Sequence, residues 1–370
     1  MTQECTLKAL RRHGEHSKMD CDTCTELTLT CLLPTYLYQY MFRRFHGIDG
    51  HVEGQRAIVF LSEFGRDMIQ RHGQHLSIDG TFKVTPNPFT QLYNVSVIID
   101  FVAIPCAYAL LNSKTTQNYR NIFASIKNVI PNWVPDTVMS DFELSAIAAV
   151  REEFPQAAHS GCLFHFAQAI YKKVQTLAHL NTLFLAANQE GHDTKILVKS
   201  LISLAFTPPG EPLYNYFCAV IHQFEHHPDV EALVQYFVTY WIGCDRVWQL
   251  QPIPLEDDPE LGAYGRVDAW IRNRIQNNGL QGRSASFPQE MWNMSESYFV
   301  KKMKEEDRHW NLIVQDYNNN PQNGMRGRGM ARKNIYVQQD QAIRAIFLDR
   351  HNRPFLAYLR AIAYRMPEPN

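Results

Sequence analysis

The spacing of apolar residues in the first half of the chain changes from helical to strand-like. Over residues 54–74 it predicts a helix with one buried face, formed by Ile58, Leu61, Phe64, Met68 and Ile69. Runs rich in β-branched and aromatic residues then predict strands at residues 75–82, 91–99 and 102–111. Because the connections between these runs are short, we expect the three strands to form an antiparallel meander.

Helices and short strands alternate after the meander. Helical spacing covers residues 119–130, 142–154 and 162–180, and short strands are expected at 136–139 and 157–161. The predicted order is therefore β-β-β-α-β-α-β-α. This order is that of an α/β fold with an RNase H-like mixed sheet, in which the first and fourth strands lie side by side.

Five regions are expected along the chain, one of them a large helical insertion into the core fold. They are a partly helical N-terminal region (1–74), the RNase H-like core with both acids (75–180), the helical insertion (181–245), a loop and returning core helix (246–318), and a linker with a C-terminal helix (319–370).

Composition indicates a folded globular protein, since 45% of the 370 residues are hydrophobic and 20% are charged. With 36 Lys and Arg against 37 Asp and Glu, the chain lacks the basic excess of many DNA-binding domains. Any DNA contact is therefore expected to use local patches or a separate domain. No signal peptide or membrane segment is expected, because the longest apolar region, residues 95–111, is interrupted by Asp100 and Pro105.

Two aspartates are predicted at the ends of neighbouring strands. Asp79 lies in the first strand and precedes Gly80, whereas Asp141 ends the fourth strand and precedes a helix. Each has an ordinary structural interpretation, an Asp-Gly turn for Asp79 and a helix N-cap for Asp141. Together, however, they offer the hard oxygen ligands that Mg²⁺ prefers. Two-metal phosphoryl transfer requires such a cluster of carboxylates.

Cysteine and histidine residues give two weaker signals for a metal. Cys162 and His165 are three residues apart and share a helix face. A packed thiol beside a hydrogen-bonded histidine is the ordinary interpretation, and such a pair is at most half a Zn²⁺ site. Near the N-terminus, Cys21 and Cys24 have further Cys and His residues nearby, but their irregular spacing supports a Zn²⁺ site only weakly.

Several motifs occur in a fixed order along the chain. They are DGTFK at residues 79–83, Gln91-Leu92-Tyr93, the strand Tyr108 to Leu111 with Lys114 and Tyr119, SDFE at residues 140–143, and GCLFHF at residues 161–166. As a set they resemble the MULE (Mutator-like element) transposase domain family, which is of the DDE type and related to FLYWCH-finger-containing transposon proteins. Two later segments, Tyr240 to Gly243 and Tyr358 to Ala363, resemble the family's Trp motif and C-terminal helix.

The resemblance implies catalytic roles for three residues. Asp79 matches the first acid, Asp141 the second, and Gln281 stands where the family has a glutamate, within the stretch NNGLQG at residues 277–282. Glutamine has a single acceptor oxygen and no charge, so we expect a weakened second metal site. Glu290 or Glu296 takes this role only if the register differs. The Cys162/His165 pair matches a family motif and is expected to be structural.

Two functions follow as hypotheses. The first is a transposase that cleaves DNA at transposon ends and joins it to target DNA with Mg²⁺ or Mn²⁺, acting as a homo-oligomer in the nucleus. The second is an inactive, domesticated or decayed transposase that binds DNA or protein. The retained Asp79 and Asp141 favour the first, and Gln281 with the balanced charge favours the second. A weaker third hypothesis is a Zn²⁺-organised interaction module using the N-terminal cysteines.

Overall fold

A computed structural model of the chain describes residues 45–52, 55–81, 85, 89–100, 102–207, 213–224, 230–242, 296–325 and 334–366. All of them belong to the compact unit Phe45–Asn370. The N-terminal cysteines, Gln281 and Glu290 lie outside the described residues.

Seven strands form one mixed sheet in the order β1-β2-β5-β4-β3-β6-β7. The strands are β1 Phe45–Val52, β2 Gln55–Ser62, β3 His75–Thr81, β4 Gln91–Ile99, β5 Val102–Leu111, β6 Thr137–Ser140 and β7 Ala158–Gly161. Strands β3, β4 and β5 form the predicted antiparallel meander, and β6 and β7 continue the sheet in parallel from β3. The α/β fold with an RNase H-like arrangement is therefore confirmed.

Eleven helices are described with the sheet. They are α1 Glu63–His72, α2 Thr116–Val129, α3 Leu144–Glu153, α4 Leu163–Thr176, α5 Ala178–Leu185, α6 Gln189–Ser203, α7 Leu213–His222, α8 Val230–Phe237, α9 Glu296–Asn319, α10 Asn334–Leu348 and α11 Phe355–Ala363. Short 3-10 turns occur at Leu204–Phe206, Pro321–Asn323 and Arg350–Asn352, and a π-helical turn at Val238–Ile242 extends α8.

The first hydrophobic core fills one face of the sheet. Helices α1, α2, α3 and α9 cover this face and contribute large buried side chains, including Met68, Tyr119, Phe123, Val150 and Trp310. Helix α9 is also tied to the start of α1, because the Ser62 hydroxyl donates to the Asp307 carboxylate over 2.8 Å. The same hydroxyl oxygen caps α1 by accepting a hydrogen bond from the Gly65 N–H.

The second hydrophobic core is helical and lies in the insertion. Its buried side chains come from α4 to α8 and from α11, and include Phe166, Leu201, Phe217, Phe237 and Ile362. The C-terminal helix is anchored there by Tyr358, whose hydroxyl donates to the Phe206 carbonyl over 2.7 Å. The chain after α9 therefore returns to the insertion, so helices distant in sequence share one core.

The prediction of a helix over residues 54–74 is wrong for residues 55–62. Residues 55–62 form strand β2, and the helix begins only at Glu63. The run from Ala57 to Leu61 is almost completely buried along its length, as expected for an interior strand. Its antiparallel pairing with both β1 and β5 satisfies the backbone hydrogen bonds. This pairing outweighs the helical spacing, which a short apolar run cannot establish alone.

Candidate active site

The two aspartates lie at the same level of neighbouring parallel strands. Strands β3 and β6 pair Leu76 with Val138 and Ser77 with Met139. Two residues further along, this register brings Asp79 beside Asp141, close enough for the charge of Asp141 to act on Asp79. The strand register therefore brings Asp141, which directly follows β6, to the level of Asp79 in β3.

Asp79 has a carboxylate oxygen with unused acceptor capacity. Its Oδ1 atom is buried and accepts no hydrogen bond from any residue that the structure describes. The nearest cationic group is His165, whose Nε2 lies 3.8 Å from this oxygen. Burial raises the pKa of Asp79 to about 6, and the charge of Asp141 adds to this effect, while His165 and the Gly80 N–H oppose it. Ionisation of both Asp79 and Asp141 is therefore unfavourable unless a cation lies beside them.

Gly80 is required by packing and not by a turn. It lies within β3, as Asp79 does, so the turn interpretation of Asp79 is wrong. A Cβ atom at Gly80 would lie 1.8 Å from Nε2 of Gln91 and 3.3 Å from the ring of Tyr93. Gly80 thus lets two large side chains of β4 approach the strand that carries Asp79.

Asp141 organises the loop between β6 and α3. One of its carboxylate oxygens, Oδ1, accepts a hydrogen bond from the Glu143 N–H over 3.1 Å. Helix α3 begins at Leu144 with Glu143 as its N-cap residue, so the N-cap interpretation of Asp141 is wrong by two positions. Because the loop uses only one carboxylate oxygen of Asp141, the other remains available to a ligand.

Glu143 joins this loop to α2. Its carboxylate accepts a hydrogen bond of 2.6 Å from the Tyr119 hydroxyl and forms a 3.3 Å ion pair with Lys114. The same hydroxyl lies 2.7 Å from the Gln91 side-chain amide. Both contacts of the Tyr119 hydroxyl end on oxygen atoms, Oε1 of Gln91 and the Glu143 carboxylate, so its single proton is shared between two acceptors. The motif resemblance included these residues, but their mutual contact required the fold.

His165 and Cys162 form a pair beside Asp79 at the start of α4. Burial alone would lower the pKa of His165, but the hydrogen bond with Cys162 and the charges of Asp79 and Asp141 raise it to about 9. His165 is therefore a cation at neutral pH. Within the described part of the chain, no three His, Cys, Asp or Glu residues form a group that could hold a metal ion. The hydrogen bond between Cys162 and His165 supports the ordinary interpretation of a packed cysteine beside a hydrogen-bonded histidine.

A second histidine fixes the backbone at Asp141. The Ser140 hydroxyl donates to the Asp141 carbonyl over 2.7 Å and lies 2.9 Å from Nε2 of His159. Because the Ser140 proton is already used, His159 donates to Ser140 through Nε2–H. Burial lowers the pKa of His159 to about 3, and the charge of Arg151 adds to this effect. The imidazole in the chain His159–Ser140–Asp141 is therefore neutral because it is buried.

A cleft of about 310 Å³ opens beside the loop that carries Asp141. Asp141, Glu143 and His165 form one side of it. The remaining lining is mostly cationic, polar or aromatic, with one small apolar residue: Phe142, Gln168, Ala169, Lys172, Tyr236, Tyr240 and Trp241. The aromatic faces and the ammonium group of Lys172 are features that suit a nucleic-acid strand.

Comparison with known proteins gives one match. Residues 75–169 match the family model of the MULE transposase domain, about a quarter of the chain, which confirms the resemblance drawn from the motifs. The match covers Asp79, Asp141, Cys162 and His165. The relation to FLYWCH-finger proteins stays a prediction. A search of curated proteins found no match. None of the helices in the described ranges is long and apolar enough to span a membrane.

Proposed function

We propose that this chain, which carries a MULE transposase domain over residues 75–169, is a DDE-type transposase that cleaves and joins DNA with Mg²⁺ or Mn²⁺. The domain itself supports a transposase-type function and implies interaction with DNA in general. The finer proposal depends on one observation: Asp79 and Asp141 meet at neighbouring strands, and Asp79 has a buried oxygen that accepts no hydrogen bond from the described residues.

The residues fit a divalent cation. Two carboxylates supply hard anionic oxygens, and the raised pKa of Asp79 reflects a desolvated carboxylate beside a second acid. A bound cation would offset both the desolvation of the Asp79 carboxylate and its repulsion by Asp141. Asp79 would bind through Oδ1, and Asp141 through the oxygen that its loop leaves free. Gln281, the proposed replacement for the third acid, would contribute one neutral oxygen.

The proposed reaction has two in-line steps. In the first, a water oxygen bonds to a phosphorus at the transposon end as the P–O3′ bond breaks, releasing a 3′ hydroxyl. In the second, that hydroxyl bonds to a phosphorus of target DNA and displaces the next 3′ oxygen there. Divalent cations held by Asp79 and Asp141 would activate the attacking oxygen and stabilise the leaving oxygen. The Glu143–Tyr119 contact and the His159–Ser140 chain keep the Asp141 loop in place.

DNA is the proposed partner, and the cleft beside the acids is its proposed entry. Lys172 offers a cation to the phosphates, while Tyr236 and Tyr240 offer ring faces to the bases. A homo-oligomer is proposed for the active form, because each transposition event joins two element ends. The proposed location is the nucleus.

A second function is favoured by Gln281. Replacement of the third carboxylate by an amide removes one negative charge from the cation site, which predicts weak or absent cleavage. In that case the chain is an inactive transposase that binds DNA or protein and keeps the fold for this purpose.

A nicking assay distinguishes the two functions. Purified full-length chain is incubated with supercoiled plasmid and MnCl₂, and nicked circles are quantified for wild type, Asp79→Asn, Asp141→Asn and Gln281→Glu. Asp67→Asn is the matched control, since it changes an acid that is 44% exposed and pairs with Arg71 on α1. A transposase nuclease predicts nicking in wild type and in Asp67→Asn, and its loss in Asp79→Asn and Asp141→Asn.

Nicking that appears only in Gln281→Glu would instead establish the inactive transposase. Nicking that persists in Asp79→Asn would contradict the assignment of this carboxylate, because a contaminating nuclease would then explain the activity.

A further inference from the structure

A row of polar side chains crosses the sheet at the level of Asp79. Asn94 of β4 lies directly opposite Asp79 of β3, and Tyr108 of β5 lies directly opposite Asn94. Residues directly opposite each other in an antiparallel pair point to the same face, with Cβ atoms about 4.5–5.5 Å apart. Asn94 therefore shares the sheet face of Asp79, whereas its neighbours Tyr93 and Val95 point into the core on the other face.

Asn94 has an unusual environment for an amide. It is only 7% exposed and lies in the middle of a strand whose other residues are mostly apolar. Its Oδ1 atom is buried and, like Oδ1 of Asp79, accepts no hydrogen bond from any residue in the described ranges. Buried side-chain oxygens nearly always accept a hydrogen bond, so two facing oxygens that accept none from the described residues point to a shared ligand.

We propose that Asn94 is a further ligand of the divalent cation held by Asp79, contributing its side-chain amide oxygen. This inference rests on the proposed function. Side-chain amide oxygens are suitable ligands for hard cations, and a neutral oxygen adds no repulsion between Asp79 and Asp141.

A structural role for Asn94 makes the opposite prediction. An amide that stabilised the fold would form hydrogen bonds, and its replacement by an apolar residue of similar size would destabilise the protein. An amide kept for a ligand costs stability when the ligand is absent. Asn94→Leu should then raise the Tm of the cation-free protein.

The test measures cation binding without using cleavage. Full-length wild type, Asp79→Asn, Asn94→Leu, Asn94→Asp and Ser96→Ala are titrated with MnCl₂, with free Mn²⁺ followed by electron paramagnetic resonance and Tm by circular dichroism. Ser96→Ala is the matched control, because Ser96 is buried on the same face of β4, one pleat further along, opposite Ser77. Bound Mn²⁺ should raise the Tm of wild type.

The expected result is a weakening of Mn²⁺ binding by about tenfold or more in Asn94→Leu, with a higher cation-free Tm. Asn94→Asp should bind Mn²⁺ at least as tightly as wild type, and Ser96→Ala should match wild type. If Asn94→Leu kept the wild-type affinity while Asp79→Asn lost it, or if Asn94→Leu lowered the cation-free Tm, the role of Asn94 would be overturned and the proposed function would stand. If wild type did not bind Mn²⁺, the proposed function itself would fail.

Discussion

The ring of Phe142 meets the ring of Trp241 edge-on, with centroids 4.9 Å apart. Phe142 lies between Asp141 and Glu143 in the loop after β6, and Trp241 lies in the π-helical turn that extends α8. Trp241 also contacts Phe166 edge-on, with centroids 4.7 Å apart. The core of the helical insertion therefore reaches the loop that carries the second acid, and the insertion is expected to stabilise the geometry of that loop.

Trp241→Ala tests this support. Trp241 is 4% exposed, so its truncation should lower the free energy of unfolding by about 3–5 kcal/mol, because a large cavity forms in the insertion core. Urea unfolding followed by tryptophan fluorescence and circular dichroism measures the change. Leu185→Ala is the control, since Leu185 is 71% exposed and its loss should change stability by no more than about 0.5 kcal/mol. Equal effects of the two substitutions would contradict the proposed support.

Gly161 determines where the Phe142 ring can lie. A Cβ atom at Gly161 would come within 2.4 Å of the Phe142 ring. Gly161→Ala should therefore displace the ring and lower the free energy of unfolding by about 1–3 kcal/mol. Adding Phe142→Leu removes the obstructing ring atoms, so the double variant should lose less than the sum of the single losses. Strict additivity in chemical denaturation would show that the two residues do not compete for this space.

The Tyr119 hydroxyl should matter for stability, whereas the Tyr93 hydroxyl should not. Tyr119 donates to the Glu143 carboxylate over 2.6 Å, and hydrogen bonds to charged groups contribute about 1.5–3 kcal/mol. Tyr119→Phe should cost about that amount. The Tyr93 ring packs against the Tyr119 ring at a tilt of 55°, but its buried hydroxyl has no hydrogen-bond partner among the described residues. Tyr93→Phe should therefore be neutral or stabilising in thermal unfolding, and a comparable loss in both variants would refute the assigned network.

Acid should destabilise the fold through His159. The pKa of His159 is about 3 in the folded state, against an ordinary value of 6.5. Below pH 6.5, His159 is therefore protonated in the unfolded chain but stays neutral in the folded chain. Between pH 6.5 and 3, this single group should reduce the free energy of unfolding by up to about 1.4 kcal/mol for each unit that the pH falls.

The matched variant for this pH effect is His159→Gln, which keeps a side-chain donor near Ser140 but does not titrate. Urea unfolding at pH 7 and at pH 5 should show a smaller loss on acidification in His159→Gln than in wild type. Comparison of the two proteins is necessary because Asp79 has the opposite effect. Its pKa is raised to about 6, so protonation of Asp79 stabilises the folded state as the pH falls from about 6 to 3.8. Identical pH dependence in both proteins would contradict a neutral His159.

Sequence patterns predicted much of the core because they are local. Strands β3, β4 and β5 are alternating or continuous apolar runs bounded by turn residues, and their connections are too short for anything but a meander. Helix α9 was expected at residues 296–318 and extends over Glu296–Asn319. The positions of Asp79 and Asp141 near strand ends followed from the same runs.

The fold alone revealed the contacts that depend on pairing between distant strands. Strand β2 has helical spacing in sequence, and only its ladders with β1 and β5 make it a strand. The sequence alone indicates no role for the polar side chain of Asn94, because only the strand register shows that Asn94 lies opposite Asp79. Nothing in the sequence relates Phe142 to Trp241, which are brought together by the packing of the insertion.

The amino-acid sequence by itself determined the succession of elements, the family resemblance and the two acids, because backbone periodicity and motif spacing are properties of short segments. The tertiary structure decided which side chains face each other, since strand register and helix packing are fixed by long-range burial that no local pattern encodes. The environment of Asp79, with Asn94, Asp141 and His165 around it, belongs to this second kind of information.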